Sequence, residues 1–219
     1  MRHRILTTVL RWLAAVLILR VLAAILANYP DYFPPDFDSL FLQGREATFT
    51  GAYRTAFYVH IFSGPVVLFN GLILLSERVR RRHGGLHRWL GRAQVFLLLF
   101  VLPSGVVMSR HAFGGWPAGL SFLLLSAATA SCAIAGVVQA CRRRYDQHRR
   151  WMLRSYILIC SAVSLRLMSG TAGLIGVSSP EQAYIFAAWG SWLFPLAAYE
   201  IVECFRACRL ARLPNERKG

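Results

Sequence analysis

The pattern of apolar and polar residues divides the chain into six long apolar segments with short polar segments between them. The apolar segments run from about 5 to 27, 56 to 75, 93 to 109, 118 to 140, 152 to 175 and 182 to 205. A helix needs ~20 predominantly apolar residues to cross the hydrocarbon core of a bilayer, and each segment reaches or approaches that length. No alternation typical of strands competes with this pattern. The sequence therefore predicts an all-α integral membrane protein with six transmembrane helices.

The polar segments suggest how the chain is organised. Residues 28–53 form the only long connection, rich in proline, aromatic and acidic residues. We predict three parts: a first helix with its long outer loop (1–55), a five-helix transmembrane bundle (56–205) and a basic tail (206–219). The basic start before the first helix is also typical of a signal peptide, but the length of the apolar run and its Arg11 and Arg20 favour an uncleaved span.

Composition agrees with the membrane class and adds an orientation. Hydrophobic residues make up 56% of the chain, and the net charge is +15. The arginines cluster in the segments 78–92 and 142–154 and in the tail, which the pattern places on one side of the membrane. Because cytoplasmic segments carry the excess of positive charge, we expect both termini in the cytoplasm. Anionic lipid headgroups are the expected partners of this charge, whereas no nucleic-acid-binding motif accompanies it.

The two arginine-rich segments share a pattern. Each has three consecutive arginines, then a His-Arg pair, a tryptophan and a further arginine, and their histidines, His87 and His148, are 61 residues apart. One interpretation is a duplicated helical hairpin. The other is that cytoplasmic segments next to membrane helices favour arginine and tryptophan in general. The sequence leaves both interpretations open.

Several stretches resemble a known family. They are YVHIFSGPVVLFNG (58–71), LHRWLGR (86–92), FGGWPAGLSF (113–122) and HRRWMLRSY (148–156). Together they cover most of residues 58–167 and resemble the bacterial multi-pass membrane proteins called domain of unknown function 2306 (DUF2306). The resemblance implies a membrane-embedded helical domain in the bacterial cytoplasmic membrane and no established activity.

Ionisable and polar residues inside the spans are the candidates for function. Arg166 falls near the middle of the fifth helix, where a charge costs ~2.5 kcal/mol or more unless it has a partner or a water-filled cavity. His60 lies in the second helix, and Gly64 and Gly71 follow it where a neighbouring helix can approach closely. We predict a polar cavity that opens outward and binds or moves a small solute or lipid, formed by His60, Arg166, Arg20 and Asn70. The alternative for His60 is a hydrogen bond to a neighbouring backbone carbonyl.

A second candidate site lies on the inner face. It comprises His87, Arg88, Arg92, His148, Arg149 and Arg154. Anionic headgroups or another ligand would bind these residues. Two histidines on alternate helices also make haem b an alternative, although arginine-rich helix mouths are not the apolar pocket that haem favours.

No HExxH, GxSxG, P-loop or dinucleotide motif is present, so the sequence favours a role other than catalysis, and predicts no metal site. A structural or assembly protein without a ligand is the third interpretation.

Overall fold

The computed structural model describes residues 2–39, 41–175 and 179–212. In these residues the chain forms helices and no β-strand. The helices are α1 (Arg2–Ala27), α2 (Gly51–Leu74), α3 (Glu77–Arg82), α4 (Gly84–Ser109), α5 (Gly115–Cys141), α6 (Tyr145–Ile159), α7 (Ser161–Ile175) and α8 (Pro180–Arg212). Six stretches of the described residues are long and apolar enough to cross a membrane, and α6 and α7 together make one of them. The predicted all-α membrane architecture with six spans is confirmed.

The two ends of the helix bundle differ in chemistry. We call the end that holds α3 and the starts of α4 and α6 the basic end, because residues 78–92 and 142–154 lie there. The opposite end, where residues 28–50 fold over the helices, is the capped end. α2 and α5 run from the capped end to the basic end, and α4 and the pair α6–α7 run back. The fold thus separates the arginines from the aromatic, acidic loop along the helix axes.

The helices at the basic end begin earlier than hydrophobicity predicts. We expected helices from about 93 and 152, yet α4 begins at Gly84 and α6 at Tyr145. Arginine is a good helix former, so the helical backbone continues past the apolar region into the polar one. Glu77 also supports the short helix α3 through an ion pair to Arg81 at 2.8 Å. His87 and His148 therefore lie on helices and not in loops.

Packing joins the helices mainly in sequential pairs. α2 packs on α4, α5 on α6 and α7 on α8, while α4 also contacts α5, and α1 lies against α2 and α7. Small residues permit the closest contacts. A Cβ atom on Gly119 would lie 2.5 Å from the backbone oxygen of Ser109, and one on Gly136 would lie 2.5 Å from the sulfur of Met152. An apolar layer of Val67, Leu98 and Ala133 fills the bundle between its two ends.

Prolines interrupt three of the spans. Pro65 lies inside α2, Pro103 inside α4 and Pro195 inside α8. A proline lacks the N–H group that would bond to the carbonyl four residues earlier, and in lipid that carbonyl needs another donor. In α2 the freed carbonyl is that of Ile61, and the hydroxyl group of Tyr29 donates a hydrogen bond to it. The segment after α1 thus completes the hydrogen bonding of α2.

The long loop is an ordered cap. Five apolar side chains at the capped end form a buried cluster: Tyr32, Leu42, Phe49, Tyr53 and Phe57. The Tyr58 hydroxyl donates to the Tyr32 carbonyl at 3.1 Å. Arg45 donates to the Tyr53 hydroxyl and to the His111 carbonyl, each at 2.8 Å. Aromatic packing and these bonds fix residues 28–39 and 41–50 over the helix ends.

Candidate functional site

Arg166 lies deep in the span that α6 and α7 form. It precedes Ile175 at the capped end of α7 by nine residues, about 14 Å at ~1.5 Å per residue. Its Nη1 donates to the Ala162 carbonyl at 3.0 Å, one turn back on the same helix. The hydroxyl groups of Tyr29, Tyr32 and Tyr184 lie within electrostatic range of the guanidinium. The Arg166 side chain is exposed, and these hydroxyl groups belong to the segment after α1 and to α8.

His60 lies at a matching depth on α2. It follows Gly51 by nine residues, which is also about 14 Å along the axis at ~1.5 Å per residue. Its Nδ1 lies 3.3 Å from the Val101 carbonyl and 3.2 Å from the Ser104 hydroxyl, both on α4. The contact with the Val101 carbonyl agrees with the alternative interpretation of His60, a hydrogen bond to a neighbouring backbone carbonyl. His60 is also within electrostatic range of Arg166.

A serine of α5 completes the surroundings of His60. A Cβ atom on Gly105 would lie 3.5 Å from the His60 Cε1 and 3.6 Å from the Ser126 hydroxyl oxygen. Both atoms therefore lie within ordinary contact distance of this position on α4. Side chains of α2 and α5 thus approach α4 at one depth of the bundle.

These groups define a polar cleft, by which we mean Arg166, His60, Tyr29, Tyr32 and Tyr184. Burial raises the pKa of the Tyr32 hydroxyl, and the positive charge of Arg166 acts in the opposite direction. The hydroxyl group is therefore neutral near pH 7 and can donate or accept a hydrogen bond. The five ion pairs of the described residues all lie at the basic end, and none includes Arg166. The cleft thus carries a cation that is not neutralised by those pairs.

Two residues that we predicted for the outward cavity lie elsewhere. Arg20 is exposed, on the side of α1 away from the buried Ile18, Val21 and Leu22. Asn70 is ten residues beyond His60, about 15 Å nearer the basic end at ~1.5 Å per residue. Neither residue is among the groups within electrostatic range of Arg166 or His60, since the depth and the rotation of each helix decide which polar residues meet.

Asn70 instead joins α2 to α4. Its Nδ2 donates to the Gln94 Oε1 at 2.7 Å and to the Leu90 carbonyl at 3.0 Å, and the Gln94 Nε2 donates to the Val67 carbonyl at 3.1 Å. Both amides are buried. This exchange of hydrogen bonds inside the bundle is a structural clamp between two helices, and it lies beyond the apolar layer as seen from the cleft.

The basic end brings together part of the second predicted site. His87 and His148 lie within electrostatic range of each other, and Arg80 and Arg88 are also near His87. Arg92 and Arg149 are exposed. Arg154 does not belong with them, because it forms a two-pronged ion pair with Glu200 at 2.5 and 2.8 Å and stacks over Trp151. Its role in the structure is to join α6 to α8.

Comparison with known proteins decides the family. A family model described as a predicted membrane protein (DUF2306) matches residues 57–202, which is two thirds of the chain. The chain belongs to the DUF2306 family. No curated protein and no solved structure matches it. The match contains most of α2, both histidines of the basic end, Arg166 and Tyr184, whereas Tyr29 and Tyr32 precede it.

The match extends further than the resemblance seen in the sequence. We expected family similarity over about 58–167, and the matched region of this DUF2306 protein continues through most of α8. It therefore includes Glu200, the partner of Arg154. The cap, residues 28–50, lies outside the match, so the polar cleft combines side chains from inside and outside the family region.

Sequence reasoning missed the tyrosines and serines of the cleft. Tyr29, Tyr32 and Tyr184 flank predicted spans, where tyrosine is common at membrane interfaces, and Ser104 and Ser126 lie in apolar runs. The position of Pro65, four residues after Ile61, does indicate that the Ile61 carbonyl needs a hydrogen-bond donor, although it does not identify that donor.

The described residues contain no cluster of three or more histidine, cysteine or acidic side chains that could hold a metal ion. Cys141, Cys204 and Cys208 are exposed.

Proposed function

We propose that this DUF2306 protein binds an anionic solute or a lipid headgroup in the polar cleft, with Arg166 as the main charged contact. One observation carries the proposal: an exposed guanidinium group lies about 14 Å below the capped end, at ~1.5 Å per residue, with three tyrosine hydroxyl groups in electrostatic range and no ion pair among the described residues. A charge at that depth is costly unless an opposite charge or water compensates it. An anion that enters the cleft would supply the compensation.

The chemistry of the lining suits a carboxylate or a phosphate group. The planar guanidinium group can donate two parallel hydrogen bonds to either anion. The hydroxyl groups of Tyr32 and Tyr184 are further donors, and they carry no negative charge that would repel the ligand near pH 7. The aromatic cap over the cleft suits an apolar substituent on the same molecule. Carboxylates and phosphate esters, including those of lipids, therefore form the proposed ligand class.

The proposal includes the side of the membrane to which the cleft opens, and it concerns binding and not transport. We propose that the basic end faces the cytoplasm, since arginine clusters favour that side, and that the cleft therefore opens outward. The apolar layer of Val67, Leu98 and Ala133 separates the cleft from the basic end in this conformation. Binding needs no change in that layer, whereas movement of a solute across the membrane would require it to open.

A titration of the purified protein in a neutral detergent tests the proposal. The probes are inorganic phosphate, butyrate and dodecanoate, with butyramide as the uncharged counterpart, and the measurement is the shift in melting temperature. We expect an anion to stabilise the protein and butyramide to have no effect. Arg166→Gln should weaken anion binding at least tenfold, because a hydrogen bond to a charged group contributes ~1.5–3 kcal/mol and ~1.4 kcal/mol is a factor of ten.

The matched control is Arg110→Gln, an exposed arginine just beyond α4 at the capped end. It should bind the anion as the unmodified chain does. Equal affinity of Arg166→Gln and the unmodified chain, or an equal loss in both variants, would contradict a specific role for Arg166.

A further inference from the structure

The two histidines of the basic end occupy equivalent positions. His87 is the fourth residue of α4 and His148 is the fourth residue of α6. The backbone N–H of each bonds to the carbonyl of the residue just before its helix, His83 at 3.0 Å and Arg144 at 2.9 Å. The sequence repeat is therefore also a repeat of local structure. Each histidine sits in a first helical turn, where unpaired N–H groups favour negative charge.

Their hydrogen bonding differs. The Nδ1 of His148 lies 2.8 Å from the Gly136 carbonyl, which can only accept, so Nδ1 carries the proton. This bond orients the ring of His148 against α5. The Nδ1 of His87 is buried and has no hydrogen-bond partner among the described residues. A buried nitrogen without a partner is unfavourable, which points to a missing group beside it.

The charges that face His87 all have the same sign. Its neighbours in electrostatic range are His148, Arg80 and Arg88. The nearest acid on α3, Glu77, lies 2.8 Å from Arg81 and 3.7 Å from Arg80. On α8, Glu200 pairs with Arg154, and Glu203 pairs with Arg150 and Arg206. These acids are already paired. Asp146, in the first turn of α6, is a further acid at this end, and the cluster of His87, His148, Arg80 and Arg88 still has an excess of positive charge.

A second buried acceptor lies at the same end. Gln139, one turn beyond Gly136 on α5 and two residues before Cys141, has an Oε1 atom with no partner among the described residues. An acceptor at this end suits a ligand that carries a hydroxyl group as well as a negative charge. Glycerol-phosphate headgroups have both features, and lipid headgroups lie at the level of helix ends.

We infer that the cluster of His87, His148, Arg80 and Arg88 is a binding site for a phosphate group, that of an anionic lipid headgroup or of free phosphate. The phosphate oxygens accept hydrogen bonds from the imidazole of His87 and from the arginines, and their charge offsets the positive cluster. This site is separate from the polar cleft and does not rest on the function proposed for the cleft. Arg166→Gln should leave it unchanged.

Native mass spectrometry of the detergent-purified protein tests the inference. The protein is mixed with phosphatidylglycerol or with phosphatidylcholine, and the retained lipid is counted. We expect at least fivefold more phosphatidylglycerol than phosphatidylcholine on the unmodified chain. His87→Gln and His148→Gln should remove that preference. His83→Gln is the matched control, because His83 is an exposed histidine just before α4 and should retain it.

A second pair of variants covers the case in which the histidine variants do not fold. Arg88→Gln should reduce the preference at least threefold, whereas Arg82→Gln should not, since both side chains are exposed and only Arg88 is among the charges near His87. Inorganic phosphate is the second probe, and its effect on the melting temperature is measured. If it raises the melting temperature in an Arg88-dependent way and phosphatidylglycerol does not bind preferentially, the source of the phosphate is solution and not lipid.

Three outcomes would overturn the inference. The first is that neither probe binds the unmodified chain. The second is that the control variants His83→Gln and Arg82→Gln lose as much binding as their partners. The third is a Soret absorption band in the purified protein that disappears in His87→Gln and His148→Gln, which would assign the two histidines to haem.

Discussion

At the scale of single residues, two glycines of α2 differ in how much space a side chain would have. We expected both Gly64 and Gly71 to mark a tight helix contact. A Cβ atom on Gly71 would lie 2.2 Å from the Cε2 of Tyr156, whereas one on Gly64 would meet no atom within 4 Å. The Tyr156 hydroxyl donates to the Leu68 carbonyl at 2.9 Å, so the ring cannot move away without losing that bond. Only Gly71 is required for the contact between α2 and α6.

The pair gives a prediction about stability. Gly71→Ala should destabilise the protein by ~1–3 kcal/mol, because it overpacks a buried contact that a hydrogen bond holds in place. Gly64→Ala should be neutral or slightly stabilising, since alanine is the better helix former. Thermal unfolding of both variants in the same detergent measures the difference. Equal melting temperatures for the two variants would contradict the packing described here.

At the scale of elements, the cap is part of the hydrogen bonding of α2. Pro65 removes the donor that the Ile61 carbonyl would otherwise have, and the Tyr29 hydroxyl replaces it. The cap and a transmembrane helix are thereby joined at the carbonyl that lacks its backbone hydrogen bond. The same segment carries Tyr32, which lies within electrostatic range of Arg166, so the bond to the Ile61 carbonyl also holds this segment near Arg166.

A double-mutant cycle tests this dependence. Tyr29→Phe should cost ~1–3 kcal/mol, because it leaves a buried carbonyl unpaired. Pro65→Ala restores an N–H donor to Ile61 within the helix, so Tyr29→Phe should cost much less in the Pro65→Ala background. The free energies of unfolding of the four chains give the coupling. Tyr145→Phe, at an exposed tyrosine of the basic end, is the control and should be neutral in both backgrounds.

At the scale of the whole molecule, charge is divided between the two ends of the bundle. The basic end holds the arginine segments and all the ion pairs of the described residues. Two of these connect α6 to α8, Arg154 with Glu200 and Arg150 with Glu203. The capped end holds the aromatic cluster and the polar cleft. This division is what the charge pattern predicts for a protein whose basic end faces the cytoplasm.

Native cysteines report that orientation directly. Cys141, Cys204 and Cys208 are exposed and belong to the basic end, whereas Cys132 is buried. A membrane-impermeant maleimide added to intact cells should therefore not label the unmodified chain, and it should label it after the membrane is opened. Glu46→Cys in a chain whose three exposed cysteines are changed to serine should show the reverse, since Glu46 is an exposed residue of the cap. Labelling of the unmodified chain in intact cells would reverse the proposed orientation.

The sequence by itself determined the six spans, the division of charge and the existence of unusual polar residues within the spans. Hydropathy, length and charge act segment by segment, so they need no knowledge of which helices are neighbours. The repeat around His87 and His148 was also visible in the sequence, and so was the deep position of Arg166.

Only the tertiary structure decided which of these residues meet. Helix rotation excludes Arg20 from the cleft, and depth along α2 separates Asn70 from His60. Tyr29 reaches the Ile61 carbonyl across 32 residues of sequence, and Arg154 finds Glu200 across 46. Such contacts depend on how the helices pack around one another, which no local pattern of apolar and polar residues specifies. The surroundings of Arg166 and of His87 are products of that packing.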